Sequence, residues 1–514
     1  VKKLIPLFLL LLGLPLSAAI APDLAGLAKQ IEQFPGTKGS ENESARLKRF
    51  FQLYWDAKMR QNPAYATYIG YAGVDDRLPD LSEESIAFSK RLTRLDLAAL
   101  LSIDRTKLSP PEQVNYDLAR RRFEMSIEGE RFPDDYLLVD HMNNSITGML
   151  ELVEYMPAAT VRDYENMLAR LRAFPPLVDQ GIALMNEGLR RGVTPPRITL
   201  THVAEQVMPE ADLALKPFQH MPDSIAPADR ERLQAEANEI VTKQIKPQLR
   251  KLRDYLANTY APHARETIAA GDLPDGKAWY AFQLRYYTTT NLTPDQIFDL
   301  GISEVKRIRA EIDAVIVSTG FKGTYQEFCD YLRTDPKFFY DKPEDVLAGY
   351  RDIAKRVDPE LIRFFGRLPR LPYGVKAMES GAETAPSAYY SNGTLAGGRP
   401  GWVLVNTYDL KARPKWGMES LFLHEGVPGH HLQYSLVEEL GELPEWRKWD
   451  VYPAFSEGWG LYAESLGYEL GMYKDPYSKF GALNNEIWRA MRLVLDPGIH
   501  VKGWTRQQAI DYCR

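Results

Sequence analysis

The segment Leu421–Gln433 reads LFLHEGVPGHHLQ, and it opens like a zinc-hydrolase helix, with a His followed at once by a Glu. In the usual form of that helix the second His stands four residues after the first, on the same face. Here position 428 is Pro, and the next histidines are His430 and His431. On an ideal helix, at about 100° per residue, His430 lies about 120° away from His424. His431 returns to the face of His424, but about 10 Å further along the axis. An unbroken helix suits neither. Pro428 cannot donate to the carbonyl of His424, and its ring crowds that turn. Gly429 accepts whatever backbone the break needs. Two residues looped out as a bulge over 426–429 would bring His430 back to the face of His424. His424 is then one metal ligand, His430 or His431 the second, and Glu425 the general base acting on a metal-activated water.

A hydrolytic zinc site takes three protein ligands and leaves a position open. The segment PAFSEGWGLYAESLGYELGMY (453–473) supplies Glu457 and Glu464, seven apart and so on one helix face, beside Trp459 and Tyr462. Carboxylates among aromatic neighbours are unfavourable without partners, and a metal is one such partner. Glu457 is read as the third ligand and Zn2+ as the ion. Two cysteines, Cys329 and Cys513, make neither a thiolate cluster nor a disulfide framework. Further on, NNEIWRAMRLVLDPGIH (484–500) places Arg489 and Arg492 three apart, where they could clamp a substrate carboxylate. The alternative for Arg492 is an ion pair with Asp496 at i+4. Pro497–Gly498 reads as a helix stop, with His500 just beyond it as a candidate oxyanion donor. Upstream, SAYYS (387–391) and GWVLVNTYDL (401–410) flank the Gly-rich NGTLAGGRP and predict a β-hairpin directly before the metal segment.

The rest of the chain predicts a mainly α fold. Ser82 starts a helical pattern over 82–104, and Ser109 with Pro110 and Glu112 forms a capping-box signature, as do Thr293, Pro294 and Gln296. Behind Thr293, Ile297, Val305, Ile308, Ile312 and Val315 mark a buried stripe. The 514 residues are 45% hydrophobic and 26% charged, with net charge −6, an ordinary globular balance that gives no reason to expect nucleic acid or an anionic membrane as partner. Lys2 and Lys3, the apolar run Leu4–Leu16 and the small residues Ser17–Ala19 read as a secretory signal peptide, 1–19, cleaved after Ala19. No cysteine follows the run, so a lipid anchor is not expected, nor is membrane insertion after cleavage. The mature protein would be periplasmic or secreted.

Three segments together resemble the bacterial domain-of-unknown-function 885 family: His424-Glu425-Gly-Val-Pro428-Gly429-His430, Ala454-Phe455-Ser-Glu457-Gly458-Trp459 and Asp496-Pro-Gly498-Ile-His500. NPAYATYIGY (62–71) and NLTPDQIFDLGISEVKRI look like that family's upstream segments. The family in turn looks like a relative of the helical gluzincins, the oligopeptidase and angiotensin-converting-enzyme type. That likeness favours His430 over His431, because it matches their Gly-His pair. It implies one helical metallopeptidase-like unit over 20–514, two-lobed around a deep cleft, with an N-terminal lobe 20–280 and a zinc-site lobe 281–514. It also makes the hairpin an edge for an extended peptide, with Tyr389 as a substrate contact and Tyr390 as an oxyanion donor. Relatives look longer at the C-terminal end, so the helix begun by TRQQAIDYCR is read as truncated at Arg514. The implied activity is zinc-dependent hydrolysis of short peptides, of carboxypeptidase or dipeptidase type. The alternatives are a zinc amidase or esterase, and a non-catalytic peptide-binding protein on the same scaffold.

Overall fold

The computed structural model describes residues 20–378, 385–395, 398–441 and 443–513. The signal-peptide reading of 1–19 lies outside the described residues. The chain divides into two compact units, one ending at Thr267 and one beginning at Ile268. The division falls ahead of the helix Gly276–Thr288, which a boundary at 280/281 would have cut.

Among the described residues of the first unit the regular elements are all helices, with one isolated bridge between Val139 and Asn144. Ser82 accepts from the Ser85 N–H and caps α1 (Glu83–Leu101), three residues shorter than the 82–104 pattern. Ser109 and Glu112 form the expected capping box of α2 (Pro110–Gly129). The long α3 (Val161–Arg191) is opened by a Thr160–Asp163 capping box and closed by Gly192 at φ 69°, a left-handed turn that suits a residue without Cβ. Its inner stripe of Leu171, Phe174, Val178 and Met185 is buried against Leu233, Ala237 and Ile240 of α4 (Pro227–Ile240). Arg170 sits beside that stripe with its guanidinium buried. It donates to the carbonyls of Pro63 (3.1 Å), Val74 (3.2 Å) and Arg77 (2.8 Å) and to the Thr67 hydroxyl, which ties down the 62–71 segment. Burial pulls its pKa down to about 10.

The second unit packs helices around a small sheet. In α5 (Pro294–Ser318) the Thr293–Gln296 capping box forms, and Ile297, Ile308, Ile312 and Val315 are buried. It crosses α9 (Pro476–His500) at Gly301, where a Cβ would come within 2.7 Å of Val494 and 2.8 Å of Leu493. β2 (Ala388–Ser391) and β3 (Gly401–Val405) pair antiparallel as the hairpin reading expects, although β3 stops five residues short of Leu410. A third strand, β1 (Tyr373–Ala377), pairs parallel to β3 and makes the order β1-β3-β2. The sheet is therefore mixed rather than purely antiparallel. Val403 and Val405 point into a core shared with Phe422 and Leu423 of α6 (Met418–Glu425).

The helix stop expected at Pro497–Gly498 is not there. α9 continues to His500, and Val501 N–H still reaches the Pro497 carbonyl at 3.0 Å. One missing donor at Pro497 is outweighed by packing, because both Pro497 and Gly498 are buried and a Cβ at Gly498 would meet the Trp504 ring at 2.9 Å. Among the described residues no helix is long and apolar enough to cross a membrane.

Candidate metal centre

The metal segment is broken outright instead of bulged. α6 ends at Glu425, and α7 (His430–Glu438) starts afresh after Gly426–Gly429. Gly426 and Gly429 hold ψ of −121° and −130°, so the chain leaves helical geometry and re-enters it. A Cβ on Gly429 would lie 1.9 Å from the carbonyl oxygen of His424, so this close return admits only glycine. The two new helix ends bring the His424 and His430 rings to a centroid separation of 4.7 Å at 86°.

Glu457, on α8 (Pro453–Ser465), completes the cluster. One ligand atom from each of His424, His430 and Glu457 lies within 4.8 Å of the others. The Glu457 carboxylate is 3.3 Å from His424 Nε2 and 3.7 Å from His430 Nε2. Both imidazoles are buried, while Glu457 is 65% exposed, so the cluster opens to solvent on its carboxylate side.

Behind His424 stands a second layer. Its Nδ1 donates to Glu464 Oε1 at 2.8 Å, and Arg489 reaches the same oxygen at 2.9 Å. The other oxygen of Glu464 accepts from the Ser420 hydroxyl at 2.5 Å, and Ser420 accepts from Asn485 at 3.0 Å. This carboxylate–imidazole pairing fixes the tautomer and turns the Nε2 lone pair toward the cluster. A neutral imidazole lone pair facing a carboxylate is repulsive, so the arrangement calls for a positive charge between them. Without a metal, a proton on Nε2 of His424 fills that place. Burial opposes its charging, but Glu457 and Glu464 outweigh burial and lift its pKa to about 9. Burial, then the His424 charge, pulls His430 down to about 4. The donor set of two imidazoles and one carboxylate fits a zinc ion, with an open side remaining.

Glu425 is held by the sheet. Its Oε2 accepts from the Tyr390 backbone N–H at 2.9 Å, on the edge of β2 away from β3. Burial pushes its pKa up to about 7, with His424 acting in the opposite sense.

His431 is turned away from the cluster. Its Nδ1 accepts from the Tyr390 hydroxyl at 2.9 Å, and its ring is also bonded to the Leu371 backbone. It serves as a strut between α7 and the strands. The Tyr390 hydroxyl is thereby engaged with His431, and Tyr389 is 41% exposed. Arg489 is committed to Glu464. Arg492 lies on the exposed face of α9, and Asp496 takes the Tyr280 hydroxyl rather than this arginine. His500 stays out of the cluster. It is eleven residues beyond Arg489 on one helix, about 16 Å along the axis, and its Nδ1 accepts from the Ala270 N–H at 2.9 Å.

Besides Ser420 and Asn485, Tyr434 and Gly460 belong to the site without having been singled out in the sequence. Tyr434 stands four residues after His430 on the same helix face, with ring centroids 5.5 Å apart, and its hydroxyl meets Ser456. Burial foremost, with Glu457 and Glu425 adding to it, holds that hydroxyl protonated. Gly460 lies under the His424 ring, where a Cβ would come within 2.5 Å of Cε1. The i+4 step from His430 and the repeated glycine in Gly-Trp-Gly were the available signals.

The model of the family described as "Bacterial protein of unknown function (DUF885)" matches residues 63–514. A solved structure of a candidate lipoprotein from Colwellia psychrerythraea superposes with TM-score 0.84 at 25% identity, covering 92% of this chain and 86% of that one. A candidate lipoprotein of unknown function from Shewanella oneidensis gives TM-score 0.67 at 18% identity, covering 90% and 85%. No curated protein matches.

Proposed function

The chain belongs to the DUF885 family of bacterial proteins, and from that premise we propose that its second unit carries a zinc-dependent peptidase site for short peptides, of carboxypeptidase or dipeptidase type. The observation that carries this reading is the convergence of His424, His430 and Glu457 with Glu425 beside them on a strand edge. His424, His430 and Glu457 would hold the zinc, which would supply Lewis acidity toward a water beside it.

The chain's own residues supply the rest. Glu425, whose pKa burial raises to about 7, in its ionised form accepts a proton from the attacking water and returns it to the leaving amine. Tyr434, kept protonated beside the cluster, is a candidate donor to the developing oxyanion; the Tyr390 ring stacks on it at 6.3 Å with its hydroxyl engaged by His431, and His500 is bonded to the Ala270 N–H. Glu464 and Arg489 position His424. The outer edge of β2 offers backbone groups to an extended peptide. An exported location, periplasmic or secreted, is supported by the candidate lipoproteins among the structural neighbours.

The test is metal analysis combined with a short-peptide hydrolysis screen. The protein should hold about one zinc per chain, and Glu425→Gln should keep the metal while losing hydrolysis. A chain purified without chelator that contains no zinc would reject the reading.

A further inference from the structure

Beside the metal segment the second unit holds a cavity of about 360 Å³ with a cationic wall. Arg333, Lys411 and Arg413 line it with the amides of Asn484 and Asn485, and among the described residues no Asp or Glu does. Arg413 donates from Nη1 to the Ala412 carbonyl at 3.0 Å, while its Nε is buried with no acceptor in reach. Arg333 is paired with Asp330 at 3.3 Å, so the charge left facing the cavity is chiefly that of Arg413 and Lys411. A buried guanidinium N–H without an acceptor is unfavourable, and two cations facing one space repel, so the cavity suits an anion.

Its position relates it to the cluster. Met418 and Leu421 of α6 form part of the wall, and Glu425 follows Leu421 by one turn, about 6 Å along the axis. Ser387, just ahead of β2, also lines the cavity, three residues and about 10 Å before Tyr390, whose N–H holds Glu425. The buried Tyr350 bridges the two regions. Burial above all keeps its hydroxyl protonated, and both the Arg413 cation and the Glu425 carboxylate act on it. A span of about 6 to 10 Å is covered by two or three residues of extended peptide.

We propose that this cavity takes the free C-terminal carboxylate of the substrate peptide, with Arg413 as its main partner. The carboxylate clamp expected of Arg489 and Arg492 lies instead in the 411–413 loop, and cleavage falls about two residues from the C-terminus. The inference rests on the peptidase reading of the adjoining cluster.

The test uses the full chain carrying Glu425→Gln, so that bound peptide is not turned over. Calorimetry compares acetyl-trialanine with its C-terminal amide. The acid should bind at least about tenfold tighter, as charge-assisted pairing predicts. Adding Arg413→Gln should erase that preference and leave amide binding within about twofold. Arg333→Gln with Lys411→Gln, at more exposed positions, should reduce the preference by a smaller factor. Equal binding of acid and amide, binding of neither, or a preference that survives Arg413→Gln would overturn the assignment. A clear acid preference in a protein whose wild type hydrolyses no peptide would uphold the carboxylate cavity and retire the peptidase reading.

Discussion

The indole N–H of Trp459 donates to the carbonyl oxygen of Pro428 at 2.8 Å. The bond joins the helix that carries Glu457 to the loop between the two imidazole helices. Three candidate ligands on three separate elements are thereby held in one frame, without relying on helical periodicity.

Trp459→Phe should keep the ring's packing and lose this bond. A neutral hydrogen bond contributes about 1 kcal/mol, so zinc affinity should fall by about fivefold, measured by competition with a chelator. Unchanged affinity would show that the loop is held by other contacts.

Gly460→Ala separates helix propensity from site geometry. In the middle of a helix the change normally stabilises by about 1 kcal/mol. Here the new methyl would meet the His424 ring, so zinc binding should fail or weaken sharply. Gly458→Ala is the control, because a Cβ there meets nothing within 4 Å. Equal zinc content in the two variants would contradict the close approach.

The two adjacent histidines should behave oppositely. His430→Ala should abolish stoichiometric zinc. His431→Ala should retain it but lower stability by about 1–3 kcal/mol in denaturant unfolding, because the Tyr390 hydroxyl loses its acceptor. Zinc loss in His431→Ala with retention in His430→Ala would reverse the ligand choice.

Behind the ligands, Glu464→Gln can still accept from His424 but no longer balances Arg489. Changes of this kind lower metal affinity by about 10- to 100-fold. A zinc dissociation constant within twofold or so of wild type would remove Glu464 from the account.

A pH profile follows from Glu425. Burial raises its carboxyl to about 7, and a cation bound beside it can only lower that value. As a base it must be ionised, so kcat/KM should rise with pH along an acid limb whose midpoint is at or below about 7. A flat profile between about pH 5 and 8 would argue against a titrating base.

The elements legible in the sequence were those set by local chemistry. Ser82, Ser109 and Thr293 cap where their side chains compete for the first free N–H groups, and that competition is written in three or four consecutive residues. The pairing of β2 with β3 was readable from a short Gly-rich connection. β1 was not, because its five-residue alternation of Tyr373, Val375 and Ala377 with Gly374 and Lys376 is too short to stand out, and its partner β3 lies far along the chain in parallel pairing. The run of α9 through Pro497 depends on Trp504, which returns from outside the helix to cover Gly498. At the cluster, His424 and Glu457 stood out by residue type and spacing, whereas the choice of His430 over His431 came from the family likeness; the three do lie together. The form of the break was not, because it is set by the carbonyls of Leu423 and His424 closing on Gly429. Tyr434 and Gly460 depend on which side chains face each other across three helices, and no single segment records that.

The separate anchoring of the two imidazoles also limits how the site can be moved. In a continuous zinc helix both histidines travel on one cylinder, and a short excerpt keeps their relative placement. Here an excised peptide spanning 418–438 would carry His424, Glu425 and His430 but leave behind Glu464, Trp459 and the Tyr390 edge. It should therefore be a poor chelator despite containing two of the three ligands. Transplanting this centre to another scaffold would require a helix bearing Glu457, Gly460 and Glu464 and an adjoining strand, set against the broken segment from outside.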